Sequence, residues 1–145
     1  MEIKLKPIGL IHSPYKTKQE MPIQAYASKE VAEIEVFKEY VDGLKDIEGF
    51  SHIILLYWFH KSKGYSLHVK PFLDKNFRGI FACRHPNRPN PIGVSTVKLL
   101  ERRGNILRVE GIDALDGTPL IDIKPYVPKF DERKDAKAGW LEGKL

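Results

Sequence analysis

The segment "CRHPNRPNPIG", Cys83–Gly93, concentrates side chains that can bind an anion. Arg84 and Arg88 carry planar guanidinium groups that suit a carboxylate or a phosphate. The three prolines fix φ, remove three backbone donors and push the preceding residues toward extended conformations. A loop restrained in this way loses little entropy when a ligand docks. The segment therefore predicts a binding loop, although its polar side chains could instead only satisfy loop carbonyls.

Two further segments have the composition of binding loops. In "DALDGTPLIDIKPY", Asp113–Tyr126, the letters DGTP predict a turn that leads into a strand. Asp113 and Asp116 could accept hydrogen bonds from a ligand amine or hydroxyl, or they could only shape that turn. The segment "SPYKTKQEMPIQAY", Ser13–Tyr26, mixes proline, aromatic and amide side chains in what we interpret as an extended loop.

The other reactive side chains give weaker signals. Cys83 could be a nucleophile, but a small buried thiol is the commoner state of a lone cysteine. His52 and His60 share one face of a regular strand, yet no acidic pair stands near them in the sequence, and we predict no metal site. The chain has no C-x-x-C pair, no P-loop and no G-x-G-x-x-G motif, which argues against structural zinc and a dinucleotide fold.

Short strands separated by glycine- and proline-containing turns must position these segments. The densest run, Ser51–His60, is rich in β-branched and aromatic residues and predicts a central strand buried on both faces. Residues 38–50 carry apolar side chains at helical spacing and predict a helix that stops just before Gly49. Regular short strands favour a mainly β barrel or sandwich over βαβ units. The other predicted strands are Ile3–His12, Val31–Phe37, Leu67–Val69, Gly79–Ala82, Gly93–Leu100, Ile106–Gly111 and Leu120–Lys124, with a hairpin turn at Arg102–Asn105.

Length and charge limit the classes of protein to consider. The 145 residues suit one domain, which we place at residues 1–130, followed by a charged tail at 131–145 in which Trp140 and Leu141 dock. The formal net charge of +5 is compatible with an anionic partner such as RNA. No apolar run is long enough to span a bilayer, the start lacks the layout of a signal peptide, and the single cysteine cannot form an internal disulfide. These features predict a cytoplasmic protein with no membrane span.

Four stretches stand out for their length and peculiarity: "IGLIHSPYK", "FSHIILLYWFH", "GIFACRHPNRPNPIGVS" and "DALDGTPLIDIKPYVPKFD", together running from Ile8 to Asp131. In this order they closely resemble the TsaA-like (TrmO-like) family of tRNA methyltransferases. The resemblance implies a small β-barrel of about six to seven strands with one or two short helices, working as a homodimer. It also implies an S-adenosyl-L-methionine-dependent enzyme that methylates N6 of N6-threonylcarbamoyladenosine, next to the anticodon of tRNA.

By the same resemblance, the cofactor site draws on four regions of the chain. His60 is in addition our candidate catalytic base, because imidazole titrates close to neutral pH and arginine stays protonated. The implied cofactor residues are Gln24, Ala25, Tyr26, His60, Lys61, Arg84, Val94, Asp113, Ala114, Leu115 and Asp116.

This sequence departs from the family pattern in three ways. Where the family often reads Pro-Arg-Gln, this chain has Pro22–Gln24 with isoleucine in the middle, and Cys83 and His85 replace the Thr and Ser that often flank Arg84. Bacterial members also carry a further C-terminal domain that this chain is too short to contain. Two alternatives therefore stay open: a cofactor-binding protein of the same fold with another substrate, and an RNA-binding module without catalysis.

Overall fold

Six antiparallel strands close into a barrel in the order β1-β2-β7-β6-β3-β8. This computed structural model describes residues 1–21 and 29–145. The strands of the barrel are β1 (Gly9–His12), β2 (Val31–Val36), β3 (His52–Trp58), β6 (Ile92–Arg103), β7 (Ile106–Glu110) and β8 (Thr118–Pro125). The short strands β4 (His68–Val69) and β5 (Arg78–Gly79) pair separately. The prediction of a small, mainly β barrel is confirmed.

Alternate residues of each barrel strand fill the core. The largest fully buried side chains are aliphatic, and burying each one stabilises the fold by about 1.5–3 kcal/mol. The prediction that the central strand is buried on both faces is wrong, because Ile54, Leu56 and Trp58 are only half-buried. A single-layer barrel gives each strand one inward face, so the alternate residues lie on the outside. The inward residues include Ile11, Ile34, Ile53, Leu55, Val97, Leu107, Val109 and Leu120.

Three predicted elements differ in extent from the observed ones. The first strand begins only at Gly9, and residues 3–7 are exposed. The predicted helix at 38–50 is instead two 3₁₀ helices, Lys38–Leu44 and Ile47–Gly49, so Gly49 ends the second one. Asp46, with a positive φ of 72°, breaks the helical path between them.

The predicted strand at 79–82 is also wrong in part. Strand β5 covers only Arg78–Gly79, and Ile80–Ala82 turn into a 3₁₀ helix. Ile80 is buried and its amide donates to the Leu67 carbonyl, so this short helix anchors the segment to its neighbour. The predicted hairpin turn between β6 and β7 is confirmed, with Gly104 at a φ of +58°.

Topology gathers three long connections at one end of the barrel, which we call the loop end. Strands β1, β3 and β7 finish there, and β2, β6 and β8 begin there, because every pairing in the barrel is antiparallel. Among the described residues, the loop end therefore carries 13–21, 29–30, 59–91 and 111–117. Residues 37–51 and the β6–β7 turn lie at the opposite end, where β1 begins and β8 ends.

The C-terminal segment docks through Trp140, as predicted. After helix α1 (Pro128–Asp131), the chain forms a 3₁₀ helix at Gly139–Leu141. The indole Nε1 of Trp140 in this helix donates to the Ala82 carbonyl at 2.8 Å. The Arg78 guanidinium lies over the same ring, 5.3 Å from its centroid. Among the described residues, no helix is long and apolar enough to cross a membrane.

Candidate functional site

The loop end collects most of the predicted site residues. His60 and Lys61 follow β3, Arg84 lies in the connection that leads to β6, and Val94 lies near the start of β6. Residues 113–116 form the connection between β7 and β8. The antiparallel barrel thus joins regions that are far apart in the sequence. The predicted cofactor residues Gln24, Ala25 and Tyr26 lie outside the described residues.

A buried hydrogen-bond network holds the Asp113 carboxylate in the mouth of the barrel. Its Oδ1 accepts the Ser95 hydroxyl at 2.7 Å and the Tyr57 hydroxyl at 3.1 Å. The two hydroxyl oxygens lie 2.7 Å apart. Tyr57 and Ser95 point into the barrel and are almost fully buried. One oxygen of the carboxylate is therefore fixed by two strands, which sets the direction of the other.

The electrostatics of this network keep Tyr57 in its hydrogen-bond donor form. Burial raises the pKa of the phenol well above its usual range, and the negative charge of Asp113 raises it further. The positive charge of Arg84 acts on the same phenol in the opposite direction, so the guanidinium lies within electrostatic reach of the mouth. Arg84 itself is exposed and makes no ion pair with any described residue. Its fork is available to an external anion.

The second aspartate of the connection, Asp116, is used differently. Its Oδ1 accepts the Ser13 backbone amide at 3.0 Å, and its Oδ2 lies 2.6 Å from the Lys16 ammonium. The hydrogen bond from Lys16 lowers the pKa of Asp116. The Ser13 hydroxyl in turn donates to the Ala114 carbonyl at 2.7 Å. These contacts tie the β1–β2 connection to the β7–β8 connection and favour the turn-shaping role for Asp116.

The proline-rich loop is held in place by its own arginine. Arg88 Nη1 donates to the carbonyls of Cys83 and His85, at 2.8 and 3.0 Å. Ser62 adds a bond across the loop, from its hydroxyl to the Pro86 carbonyl at 3.1 Å. The interpretation that polar side chains satisfy loop carbonyls is therefore correct for Arg88. Arg84 is the arginine of this loop that stays available to a ligand.

The imidazole of His60 has the properties of a neutral proton acceptor. The ring is half-buried, and both burial and the neighbouring Lys61 charge lower its pKa from the usual 6.5. It is therefore unprotonated at neutral pH. A hydrogen bond between the ring and the Trp58 backbone acts on the pKa in the opposite direction, as a smaller effect. The ring can accept a proton from a substrate placed at the loop end.

Val94 and Gly93 occupy opposite faces of β6. Val94 is 42% exposed on the outer surface, opposite Leu56, so its side chain points away from the Asp113 network. A Cβ on Gly93 would lie 2.5 Å from the Tyr57 ring. The Tyr57 ring, from within the protein, therefore makes the close approach at this glycine.

The alternative chemistries have little support. Burial raises the pKa of the Cys83 thiol, which keeps it protonated and weakly nucleophilic at neutral pH. Within the part of the chain that the structure describes, no three His, Cys, Asp or Glu side chains converge to hold a metal ion.

Reading the sequence alone missed Ser13, Tyr57 and Ser95. Tyr57 and Ser95 lie at inward positions of strands whose other inward residues are apolar. A hydroxyl at such a position requires a buried partner, and this signal could have identified both. Ser13 gives no comparable signal, because its partner Ala114 is 101 residues away.

Comparison with known proteins covers nearly the whole chain. A family model described as the tRNA-methyltransferase O N-terminal domain matches residues 10–132. A Pyrococcus abyssi protein named as a probable S-adenosyl-L-methionine-binding protein is 57% identical over 138 residues, covering 94% of this chain and 75% of that protein. An Escherichia coli protein named tRNA (adenine(37)-N6)-methyltransferase is 38% identical, covering 96% of this chain and 64% of that protein.

Solved structures give the same picture. A crystal structure of TrmO from Pseudomonas aeruginosa superposes with a TM-score of 0.84 at 36% identity, covering all of this chain and 64% of that one. Another crystal structure of TrmO gives a TM-score of 0.82 at 38% identity, with 96% and 64% covered. The chain therefore spans just under two thirds of the length of these solved proteins.

The network around Asp113 predicts a specific loss of stability. Tyr57→Phe should lower the free energy of unfolding by about 1.5–3 kcal/mol, because it removes a hydrogen bond to a charged group. The control, Tyr40→Phe at the opposite end, should change stability by less than about 0.5 kcal/mol. Urea unfolding measures both. Equal stability of wild type and Tyr57→Phe would show that this hydrogen bond contributes nothing.

Proposed function

We propose, because the chain belongs to the family of the tRNA-methyltransferase O N-terminal domain, that it is an S-adenosyl-L-methionine-dependent tRNA (adenine-N6)-methyltransferase. The proposed target is N6 of N6-threonylcarbamoyladenosine next to the anticodon. The family match over residues 10–132 carries the proposal, since it includes all the loop-end segments that the site draws on. S-adenosyl-L-methionine, when bound, supplies an electrophilic methyl group.

The described residues at the loop end fit this cofactor. The methionine carboxylate needs a cation, and Arg84 offers a guanidinium that no described residue occupies. The ribose hydroxyls and the amino group need acceptors, and Asp113 has one oxygen left after Tyr57 and Ser95 take the other. We further assign cofactor contacts to Lys61, Val94, the connection at 113–116 and, beyond the described residues, 24–26.

The substrate nitrogen is a poor nucleophile and needs help from the protein. Its lone pair is delocalised into the adjacent urea-like carbonyl, so its proton must leave near the transition state. We assign this proton to His60, whose lowered pKa keeps the imidazole neutral. Alignment of the nitrogen with the methyl group then supplies much of the acceleration.

A second candidate function is cofactor binding with a different substrate. It is favoured by the name of the Pyrococcus abyssi relative, which is 57% identical and is described only as a probable S-adenosyl-L-methionine-binding protein. Under this candidate function, Arg84 and Asp113 keep their proposed roles, but His60 does not accept a proton from a tRNA nitrogen. Methyl incorporation into tRNA separates the two functions.

We also propose that two copies of the chain associate in the cytoplasm. The segment Asp122–Asp131 comprises the last four residues of β8 and the chain through helix α1, in which Phe130 is 69% exposed. An exposed aromatic side chain of this kind suits a two-fold interface, which is the commonest form of homo-oligomer. The cytoplasmic location rests on the proposed tRNA substrate, and cell fractionation tests it.

The function is tested by mass spectrometry of tRNA nucleosides. Purified protein with tRNA and S-adenosyl-L-methionine should convert N6-threonylcarbamoyladenosine to its N6-methylated form, and omission of either the protein or the cofactor should abolish the conversion. Cofactor binding by calorimetry with no product in any tRNA would leave the second candidate function in its place.

Arg84 is predicted to bind the cofactor. Arg84→Ala should weaken S-adenosyl-L-methionine binding by about 1.5–3 kcal/mol, or roughly 10- to 150-fold in Kd, the range for a hydrogen bond to a charged group. Arg84→Lys should recover part of the loss, because a point charge cannot make two parallel bonds. The control Arg103→Ala, an exposed arginine at the opposite end, should bind normally. Calorimetry with wild-type affinity for Arg84→Ala would exclude this role.

His60 is predicted to act as the base. His60→Gln should slow methylation by roughly 10²–10⁴-fold, the usual contribution of a general base, and should leave the cofactor Kd nearly unchanged. Because the neutral imidazole is the active form and its pKa is lowered below the usual 6.5, the acid limb of the wild-type rate should have its midpoint below pH 6.5, and the rate should be level at neutral pH. The variant should lose that acid limb.

The control for His60 is His52→Gln, at the start of β3 and so at the opposite end of the barrel, which should keep the wild-type rate and pH profile. An equal loss of cofactor affinity and rate in His60→Gln would instead make His60 a cofactor ligand. A normal rate would remove it from the mechanism.

The proposed association is tested by light scattering. Wild-type protein should contain about two chains per particle, and Phe130→Asp should shift it toward one chain, because a carboxylate would be buried without a partner. Phe72→Asp, which changes an exposed ring on another part of the surface, should stay dimeric. A wild-type monomer at high protein concentration would contradict the proposal.

A further inference from the structure

The segment between β3 and the proline-rich loop exposes several aromatic rings. We call residues 61–82 the excursion, because they leave the barrel, form the β4–β5 pair and return. Four of its aromatic side chains are exposed: Tyr65 by 62%, Phe72 by 79%, Phe77 by 70% and Phe81 by 77%. A segment with this many exposed rings is typical of an interaction site.

The excursion also carries positive charge that no carboxylate balances. Lys61, Lys63, Lys70 and Lys75 are all exposed. The single acidic residue of the excursion, Asp74, has a side chain that is only 4% exposed. Its two carboxylate oxygens pair with Arg78 and, at 3.1 Å, with Lys144. Asp74 is therefore already paired with Arg78 and Lys144, and the four lysines are the charges that a partner meets.

Residues other than the four exposed aromatic ones anchor the excursion. Val69 and Ile80 are buried, and the Ile80 amide donates to the Leu67 carbonyl at 2.9 Å. Trp140 fastens the far end by its bond to Ala82. The exposed aromatic side chains thus sit on a backbone that is held without them, so little ordering entropy is lost when they bind a partner.

Charge decides which partner the surface fits. In a two-fold contact between copies, the same patch meets itself, so the four lysines of one copy would face the four of the other. An RNA strand instead offers phosphates to the lysines and base faces to the rings, a combination typical of single-stranded nucleic-acid binding. Double-stranded RNA hides its base faces and cannot use the rings.

We propose that the excursion is a stacking surface for an unpaired RNA loop, which it presents to the chemistry at the loop end. The proposal rests on the proposed function, in which the substrate is the anticodon region of tRNA. Position supports it, because the excursion begins directly after His60 and ends two residues before Arg84. Bases stacked on the rings would hold the loop next to the target adenosine.

Fluorescence anisotropy tests the surface separately from catalysis. The probes are a labelled RNA stem-loop with the shape of an anticodon arm and a blunt RNA duplex of equal length. Phe72→Ala and Phe77→Ala should each weaken stem-loop binding at least about fivefold, the lower limit for one stacked base. Lys63→Ala and Lys70→Ala should each reduce the slope of log affinity against log salt by about 0.7. The controls Tyr40→Ala and Lys38→Ala, at the opposite end, should do neither.

The outcomes separate this proposal from the proposed function. The stacking surface would be overturned if the wild-type protein bound the stem-loop and the duplex equally well. It would also be overturned if the ring variants bound the stem-loop normally. Neither result would exclude methylation, which is measured separately. Ring variants that dissociate a dimer without changing RNA affinity would also overturn it, in favour of an interface between copies. Selective loss of stem-loop binding with an unchanged cofactor Kd would support it, even if no methyl product formed.

Discussion

The hydrogen bonds that fix Asp113 are the constraint on which the loop end depends. A carboxylate in the mouth of an apolar barrel is costly unless donors surround it. Tyr57 and Ser95 provide those donors from β3, which precedes His60, and β6, which follows the proline-rich loop. The bond therefore joins the β7–β8 connection to both sides of the remaining site. The same geometry makes these hydrogen bonds stabilising and positions the free oxygen of the Asp113 carboxylate.

That geometry imposes a requirement on β6. The Tyr57 ring reaches Asp113 only by passing over the backbone of Gly93, where a Cβ would stand 2.5 Å from the ring. Phe59 packs edge-on against the same ring at 5.7 Å between centroids. The glycine at the end of the proline-rich loop thus serves the interior of the barrel. Because Ile92 directly precedes it and pairs with Trp58, the same packing also fixes where the loop enters the strand.

How much the sequence could predict depends on whether a feature is local. All predicted strands except the first were located to within three residues because alternation and turn residues are local signals, and the dense apolar run at 51–60 correctly marked the central strand. Its outer exposure was missed because a run of apolar residues does not reveal whether a second layer covers it. The distinct roles of Arg84 and Arg88 were also invisible, since both sit in similar proline-rich surroundings. Only the carbonyls that Arg88 meets in three dimensions separate them.

The separation of the two arginines follows from how a small barrel can build a site. The described residues at the loop end include no α-helix and no metal cluster. The positive charge that attracts an anion must therefore come from side chains, and the neighbours of each one either hold it or leave it free. Arg88 donates hydrogen bonds to the Cys83 and His85 carbonyls and so gives the loop its shape. That shape lets Arg84 stay unpaired without collapsing onto a nearby carboxylate, because Asp116 is already paired with Lys16 and Asp113 with two hydroxyls. An exposed arginine beside satisfied acids keeps its full attraction for an external anion, which is the property that an anionic cofactor group requires.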